Sequence, residues 1–186
     1  MSVADRQLIA ECLQGRTEAF GELVRRYQDR LYNALYRFLD SSEDAQDVVQ
    51  ETFLSAYQSL RGFKGDSQFF TWLYRIAMNH AVDLKRKQRV VLRLDSQRTE
   101  ESQPLDTSAG SRPEEATERN EETEKLRRAL NKLSPEHRIA LIMKDLEGMK
   151  YEEMAEVLGV PIGTIRSRLH RARVELREIL EQAERS

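Results

Sequence analysis

At 186 residues the chain has room for one ordinary domain or two small ones, and its net charge is only −2 although 33% of its residues are charged. One cysteine excludes a disulfide framework and a cysteine-based metal site, and no uninterrupted apolar run approaches the ~20 residues that span a bilayer. With 39% hydrophobic residues, only 8 glycines and 4 prolines, and no apolar signal core at the N-terminus, the chain is expected to be a soluble, all-α, cytoplasmic protein without membrane insertion.

The first predicted helix, "DRQLIAECLQG", places Leu8, Ile9, Cys12 and Leu13 on one apolar side and ends at Gly15, which suits a helix C-terminus. Cys12 therefore reads as a buried, inert thiol. The second, "TEAFGELVRRYQDRLYNALYRFL", carries Phe20, Leu23, Val24, Tyr27, Leu31, Leu35 and Leu39 at helical spacing. The third, "SSEDAQDVVQETFLSAYQSL", starts at Ser41 or Ser42 with acids in its first turn, as a helix N-terminus prefers. After "RGFKGD", Asp66 or Ser67 can cap a longer helix, "QFFTWLYRIAMNHAVDLKRKQR".

Apolar periodicity then disappears across a Ser-, Thr-, Glu- and Asp-rich stretch containing Pro104, Gly110 and Pro113. Such a segment buries too little apolar surface to offset the entropy of ordering it. The expected organisation is a helical domain over 1–92, a flexible acidic linker over 93–122, and a second helical domain over 123–186. Acids in the linker offset basic residues elsewhere, which explains the near-neutral total.

The second domain opens with a helix from about Glu121 to Leu133, followed by "SPEHRIALIMKDLEG", in which Ser134 caps and Pro135 takes the first helical position. In "YEEMAEVLGVPIGTIRSRLHRAR", Met154, Ala155 and Leu158 share the inner face of a short helix. Gly159 permits a tight helix end, Val160 plugs the turn, and Pro161 starts the next helix. Ile162, Ile165, Leu169, Ala172 and Leu176 form that helix's core face, so the stretch predicts a helix-turn-helix. Opposite lie Gly163, Ser167 and His170, flanked by Arg166 and Arg173 on one side and Arg171 and Thr164 on the other. Small residues at the centre admit a groove floor, and arginines fork onto base edges or phosphates. A solvated charged face would intersperse carboxylates, and none stands between Glu156 and Glu175. This is a DNA recognition helix.

Two faces of the first domain bear on what is done with that DNA. On the fourth helix Phe70, Leu73, Ala77 and Leu84 form the expected buried face, and Trp72, Arg75, Asn79 and Arg86 a second, non-core one. An aromatic beside Arg and Asn, followed by Lys85, Arg86, Lys87 and Arg89, suits a single strand: a stacking surface, amide edges and cations for phosphate. The same position also lets Trp72 pack against a neighbouring helix, and the face alone does not choose. The preceding "GFKGDS" loop can hold an extruded base. On the third helix Ala45, Val49, Thr52, Phe53, Ala56 and Leu60 point inward, whereas Leu54 stands outside among Asp44, Asp47, Gln50, Glu51 and Gln58. An apolar centre with a polar rim is the make-up of a protein docking site.

Across "DAQDVVQETFLSAYQSL", "FKGDSQFFTWLYRIAMNHAVDLKR" and "LEGMKYEEMAEVLGVPIGTIRSRLHRARVELR", in that order, the chain resembles the extracytoplasmic-function (ECF) sigma factors of bacterial RNA polymerase. The resemblance implies a first domain (sigma domain 2) that binds the clamp helices of the largest polymerase subunit through Asp47, Gln50, Glu51 and Leu54. That domain would also recognise and melt the minus-ten element. Phe63, Lys64, Asp66 and Ser67 would line a flipped-base pocket, and Trp72, Arg75, Asn79 and Arg86 would hold the opened strand. The second domain (sigma domain 4) would sit at the flap of the second-largest subunit. It would read the minus-thirty-five element with Arg166, Ser167, His170 and Arg171 on base edges and Thr164, Arg168 and Arg173 on phosphates. Many members of the family are held by an anti-sigma factor that covers both domains.

No Ser/His/Asp ordering, phosphate loop or metal set emerges around the 3 histidines, so no enzymatic activity, cofactor or metal is expected. Two other readings remain at this stage. A stand-alone helix-turn-helix regulator would bind its duplex as a dimer on two half-sites. A helical adaptor would not use the arginines of the last helix on DNA at all.

Overall fold

The computed structural model describes residues 2–96 and 118–184, and among these the fold is all-α in two helical bundles. The first contains α1 (Val3–Leu13), α2 (Glu18–Leu39), α3 (Ser42–Ser59), a 3₁₀ turn (Leu60–Gly62) and α4 (Phe69–Ser96). The second contains α5 (Glu118–Lys132), α6 (Pro135–Leu141) continued by a π-helical turn (Ile142–Leu146), α7 (Tyr151–Leu158) and α8 (Ile162–Glu184). Helix α4 runs to Ser96 and α5 begins at Glu118, so helix enters both ends of the 93–122 segment expected as linker. The remainder of that segment lies outside the described residues.

Local chemistry sets the helix ends. The hydroxyls of Ser2, Ser41 and Ser134 accept from the backbone N–H groups of Asp5 (3.0 Å), Asp44 (3.2 Å) and His137 (3.3 Å), satisfying donors that a helix start leaves free. Pro135 occupies the first turn of α6. Helix α2 stops where Asp40 adopts a left-handed conformation (φ 61°), and α7 stops at Gly159 (φ 63°), which carries no Cβ penalty there.

The first bundle buries Leu23, Leu31, Ala34, Leu35, Phe38 and Leu39 of α2 against Ala45, Val48, Thr52, Phe53 and Ala56 of α3 and the inner face of α4. Val48 takes the inward position expected of Val49, which is half-buried. Thr52 is buried as well, and its hydroxyl donates back to the carbonyl of Val48 at 2.6 Å. Helix α1 packs on α2 around Asp5, which is 2% exposed and accepts from Arg26 Nη1 (2.5 Å) and Tyr27 Oη (2.8 Å). Cys12 is buried, and burial pushes its thiol pKa up, in keeping with an inert side chain.

In the second bundle Ile165, Leu169 and Ala172 of α8 pack on α6 and α7, with Met154 and Val157 beneath. Residues Arg138 to Met143 are buried without a break, because α6 lies between α8 and α2. The two cores are continuous: α4 packs against α7, and α2 against α5, α6 and the π-helical turn. None of the described helices is long and apolar enough to cross a membrane.

Candidate nucleic-acid interface

The turn between α7 and α8 is the best-defined element of the site. The N–H of Val160 donates to Ala155 O at 3.2 Å across left-handed Gly159, and those of Thr164 (2.9 Å) and Ile165 (3.3 Å) donate to Pro161 O, so Pro161 caps α8 rather than lying inside it. With Ile165, Leu169 and Ala172 buried, the opposite side presents Gly163, Arg166, Ser167, His170, Arg171 and Arg173 to solvent, with Thr164 and Arg168 half-buried at its edges. The face expected from periodicity therefore stands in the structure. Its arginines divide into two kinds. Arg166 and Arg171 are exposed and have no ion pair among the described residues. Arg173 pairs with Asp145 at 2.7 Å, and Arg168 lies 3.9 Å from Glu136. Carboxylates absent between Glu156 and Glu175 thus arrive from α6 and the π-helical turn. Exposed pairs of this kind contribute only ~0–1 kcal/mol and exchange readily for phosphate.

The α4 face departs from expectation at its aromatic member. Trp72 is 8% exposed, not a free surface. Its ring lies 4.9 Å from that of Phe63 and 5.7 Å from that of Phe69, and Phe63 meets Phe69 edge-on at 5.8 Å. Helical spacing sets Trp72 on a non-core face, but the rings of Phe63 and Phe69 cover it while α7 packs on another side of α4, so the whole run Phe69–Tyr74 is buried. Further along, Arg75, Asn79 and Arg86 are exposed, Arg86 beside Asp83 at 3.0 Å. Lys85 turns inward instead and donates to Leu39 O at 3.0 Å, serving the end of α2 and not a phosphate. His80 is half-buried, with Nε2 3.0 Å from Ser55 Oγ.

The loop ahead of α4 bends through Gly65 (φ 79°), exposes Lys64 and Asp66, and leaves Phe63 and Ser67 half-buried. Lys64, Asp66 and Ser67 thus stand in the same loop as Phe63, whose ring packs on buried Phe69 and Trp72.

On α3, Leu54 is 54% exposed, and Asp47, Gln50, Glu51 and Gln58 around it are exposed too. Asp44 is drawn aside by Gln88, whose Nε2 donates to it at 3.0 Å. This patch matches the acid-ringed apolar centre read from the sequence.

One site of consequence escaped the sequence reading. Arg138 is 9% exposed, and its guanidinium donates to Leu130 O (2.8 Å), Asn131 O (2.5 Å) and Phe38 O (3.0 Å). It thereby satisfies the C-terminal carbonyls of α5 and α2 together. The signal was a lone arginine heading the apolar run "RIALIM".

Comparison with known proteins accords with this geometry. The family model for Sigma-70 region 2 matches residues 23–90, and that for Sigma-70, region 4 matches residues 123–176. The chain is 37% identical over 183 residues to the RNA polymerase sigma-H factor of Pseudomonas aeruginosa, covering 95% of this chain and 94% of that protein. It is 35% identical over 175 residues to the ECF RNA polymerase sigma-E factor of Haemophilus influenzae, covering 92% of each. Among solved structures, the sigma factor RpoE in complex with the anti-sigma factor NepR from Bartonella quintana superposes with a TM-score of 0.69 at 29% identity, over 87% of this chain and 96% of that one. A helix-turn-helix behind a helical domain with an exposed, acid-ringed leucine, matched over more than nine-tenths of its length by such relatives, places the chain in the family of ECF RNA polymerase sigma factors.

Proposed function

We propose that this sigma factor divides promoter-directed initiation among three surfaces. Leu54, with Asp47, Gln50 and Glu51, docks on the clamp helices of the polymerase's largest subunit, and the second domain seats at the flap of the second-largest. The minus-ten element is captured by the first domain, with a flipped base held by Phe63, Lys64, Asp66 and Ser67. Arg75, Asn79 and Arg86 hold the strand, and Trp72 backs Phe63. The minus-thirty-five element is read in the major groove by Arg166, Ser167, His170 and Arg171, with Thr164, Arg168 and Arg173 on phosphates. On this reading the domains are 1–92 and 123–186, the protein acts in the cytoplasm, and an anti-sigma factor is a partner of the kind seen with the Bartonella quintana protein.

The factor itself changes no bond. Stacking of a captured base contributes ~1–3 kcal/mol, which offsets unstacking of a few kcal/mol per step, so binding free energy suffices to open DNA. The observation that carries the reading is exposed Leu54 ringed by Asp47, Gln50 and Glu51 on a chain that also presents a helix-turn-helix. A stand-alone regulator or a helical adaptor has no use for that patch. Leu54→Asp is expected to abolish retention by immobilised core polymerase while the far-ultraviolet circular dichroism and thermal transition stay unchanged. Undiminished retention would remove the assignment.

A further inference from the structure

A cleft of about 610 Å³ is lined by side chains of α2, α4, α6, α7 and α8. Its apolar wall is made by Phe38, Met78, Val82, Ile139, Leu158 and Val160. Phe38, Met78 and Ile139 are buried, but Val82 is 53% exposed, so an aliphatic side chain of α4 meets water at a concave site. The volume lies within the ~300–1,000 Å³ range of small-molecule sites. A partner helix, ~10 Å across with its side chains, would fill it with roughly a turn and a half, too short a segment to dock stably.

The charge around the cleft is one-sided. Lys85, Arg86 and Arg168 line it against a single carboxylate, Glu136. That carboxylate is largely exposed and stands 3.9 Å from Arg168, at the far limit of an ion pair, and Arg86 has only an exposed pair with Asp83. Lys85 is the most telling of the three. It is half-buried and forms no ion pair among the described residues, and of its three donors Leu39 O takes one. Burial, and then nearby Arg138, hold its pKa below the ordinary lysine value. A cation partly withdrawn from water without a counter-charge gains from an anion that enters with an apolar body of its own.

We propose that this cleft binds a small amphipathic anion, a carboxylate on a single medium-length apolar chain, with the chain on Met78, Val82 and Leu158 and the carboxylate among Lys85, Arg86 and Arg168. Arg86 and Arg168 are also the cations proposed above for the opened strand and for an upstream phosphate. Occupancy therefore competes with promoter DNA, and the ligand is an inhibitor. The inhibitory role rests on that reading of the two arginines; the site itself does not.

Calorimetric titration of the full chain with dodecanoate, below its micelle concentration, tests the site, and one saturable site is expected. Dodecyltrimethylammonium, with the same chain and the opposite charge, is expected to bind at least about tenfold more weakly, and so is dodecanoate to Lys85→Met or Val82→Glu. Val82 is exposed and methionine keeps much of the lysine stem, so an unchanged thermal transition is expected of each variant. Equal uptake of both amphiphiles, or undiminished binding by both variants, would reduce the effect to detergent-like adsorption and overturn the site. For the inhibitory role the probe is random-sequence duplex DNA. Saturating dodecanoate is expected to weaken duplex binding several-fold in the unmodified chain and to leave it unchanged in Val82→Glu. Saturable dodecanoate binding with no change in duplex affinity would overturn the inhibition, and the phosphate role of Arg168 with it, while the site would stand.

Discussion

The guanidinium of Arg138 donates to the carbonyl of Phe38 at 3.0 Å, joining residues one hundred positions apart through a buried cation that also caps α5. A forked donor is required, because three carbonyls at two helix ends are satisfied at once. Arg138→Lys is expected to lose most of this geometry and Arg138→Ala all of it. In urea titrations the alanine variant should be destabilised by about 1.5–3 kcal/mol, the range for a hydrogen bond to a charged group. A lysine variant as stable as the unmodified chain would show that charge alone suffices.

The Asp5 cluster gives a prediction in pH. Burial pushes the Asp5 pKa up, but hydrogen bonds with Ser2, Tyr27 and Arg26 outweigh it and hold the carboxyl below its usual range. A folded-state pKa below the unfolded one contributes stability that is present above the unfolded value of about 3.9 and is lost as pH falls through the folded one. Asp5→Asn should therefore cost about 1–3 kcal/mol at pH 7, with the difference from the unmodified chain shrinking below about pH 4. At the other end burial, reinforced by Asp5, pushes Tyr27 up to about 12. Its contribution is full below its unfolded pKa near 10 and is lost as pH rises through 12. Denaturant titrations across pH read both limbs.

The split among the α8 arginines predicts two behaviours. Arg166→Ala and Arg171→Ala, at exposed positions proposed to read base edges, should each cost about 1–3 kcal/mol in duplex promoter binding and relax specificity at one base position. Arg173→Ala, which leaves Asp145 behind, should weaken all sequences alike and lower the salt slope by about one. Binding titrations over several salt concentrations separate the cases, and a uniform loss for all three would reduce α8 to a phosphate contact.

These residues also mark how far sequence reading reaches. Ser41, Ser134 and Gly159 announced their helix ends because caps and left-handed turns depend on chemistry within a few positions. Leu54 was legible for a similar reason: the inward positions of α3 already account for its core. The burial of Trp72 was not, because Phe63, whose ring packs on it, stands in the loop ahead of α4, and periodicity along α4 carries no trace of it. Nor were the outer ends of α4 and α5, where helix-favouring residues such as Leu, Arg and Glu continue past the point at which apolar periodicity fades. The pairings of Arg30 with Glu147 and Arg127 with Asp40 were hidden altogether, each arginine being unremarkable on its own helix, and Arg138 showed only as a lone arginine in an apolar run.

The central claim is that this chain directs RNA polymerase to promoters, and reconstituted transcription with core polymerase and a promoter library tests it most directly. Core with the purified chain should initiate from a defined subset sharing two short elements, and core with the Leu54→Asp chain should give none of it. Initiation from the library by core alone at the same sites, or no sequence-selective initiation with the chain present, would contradict it.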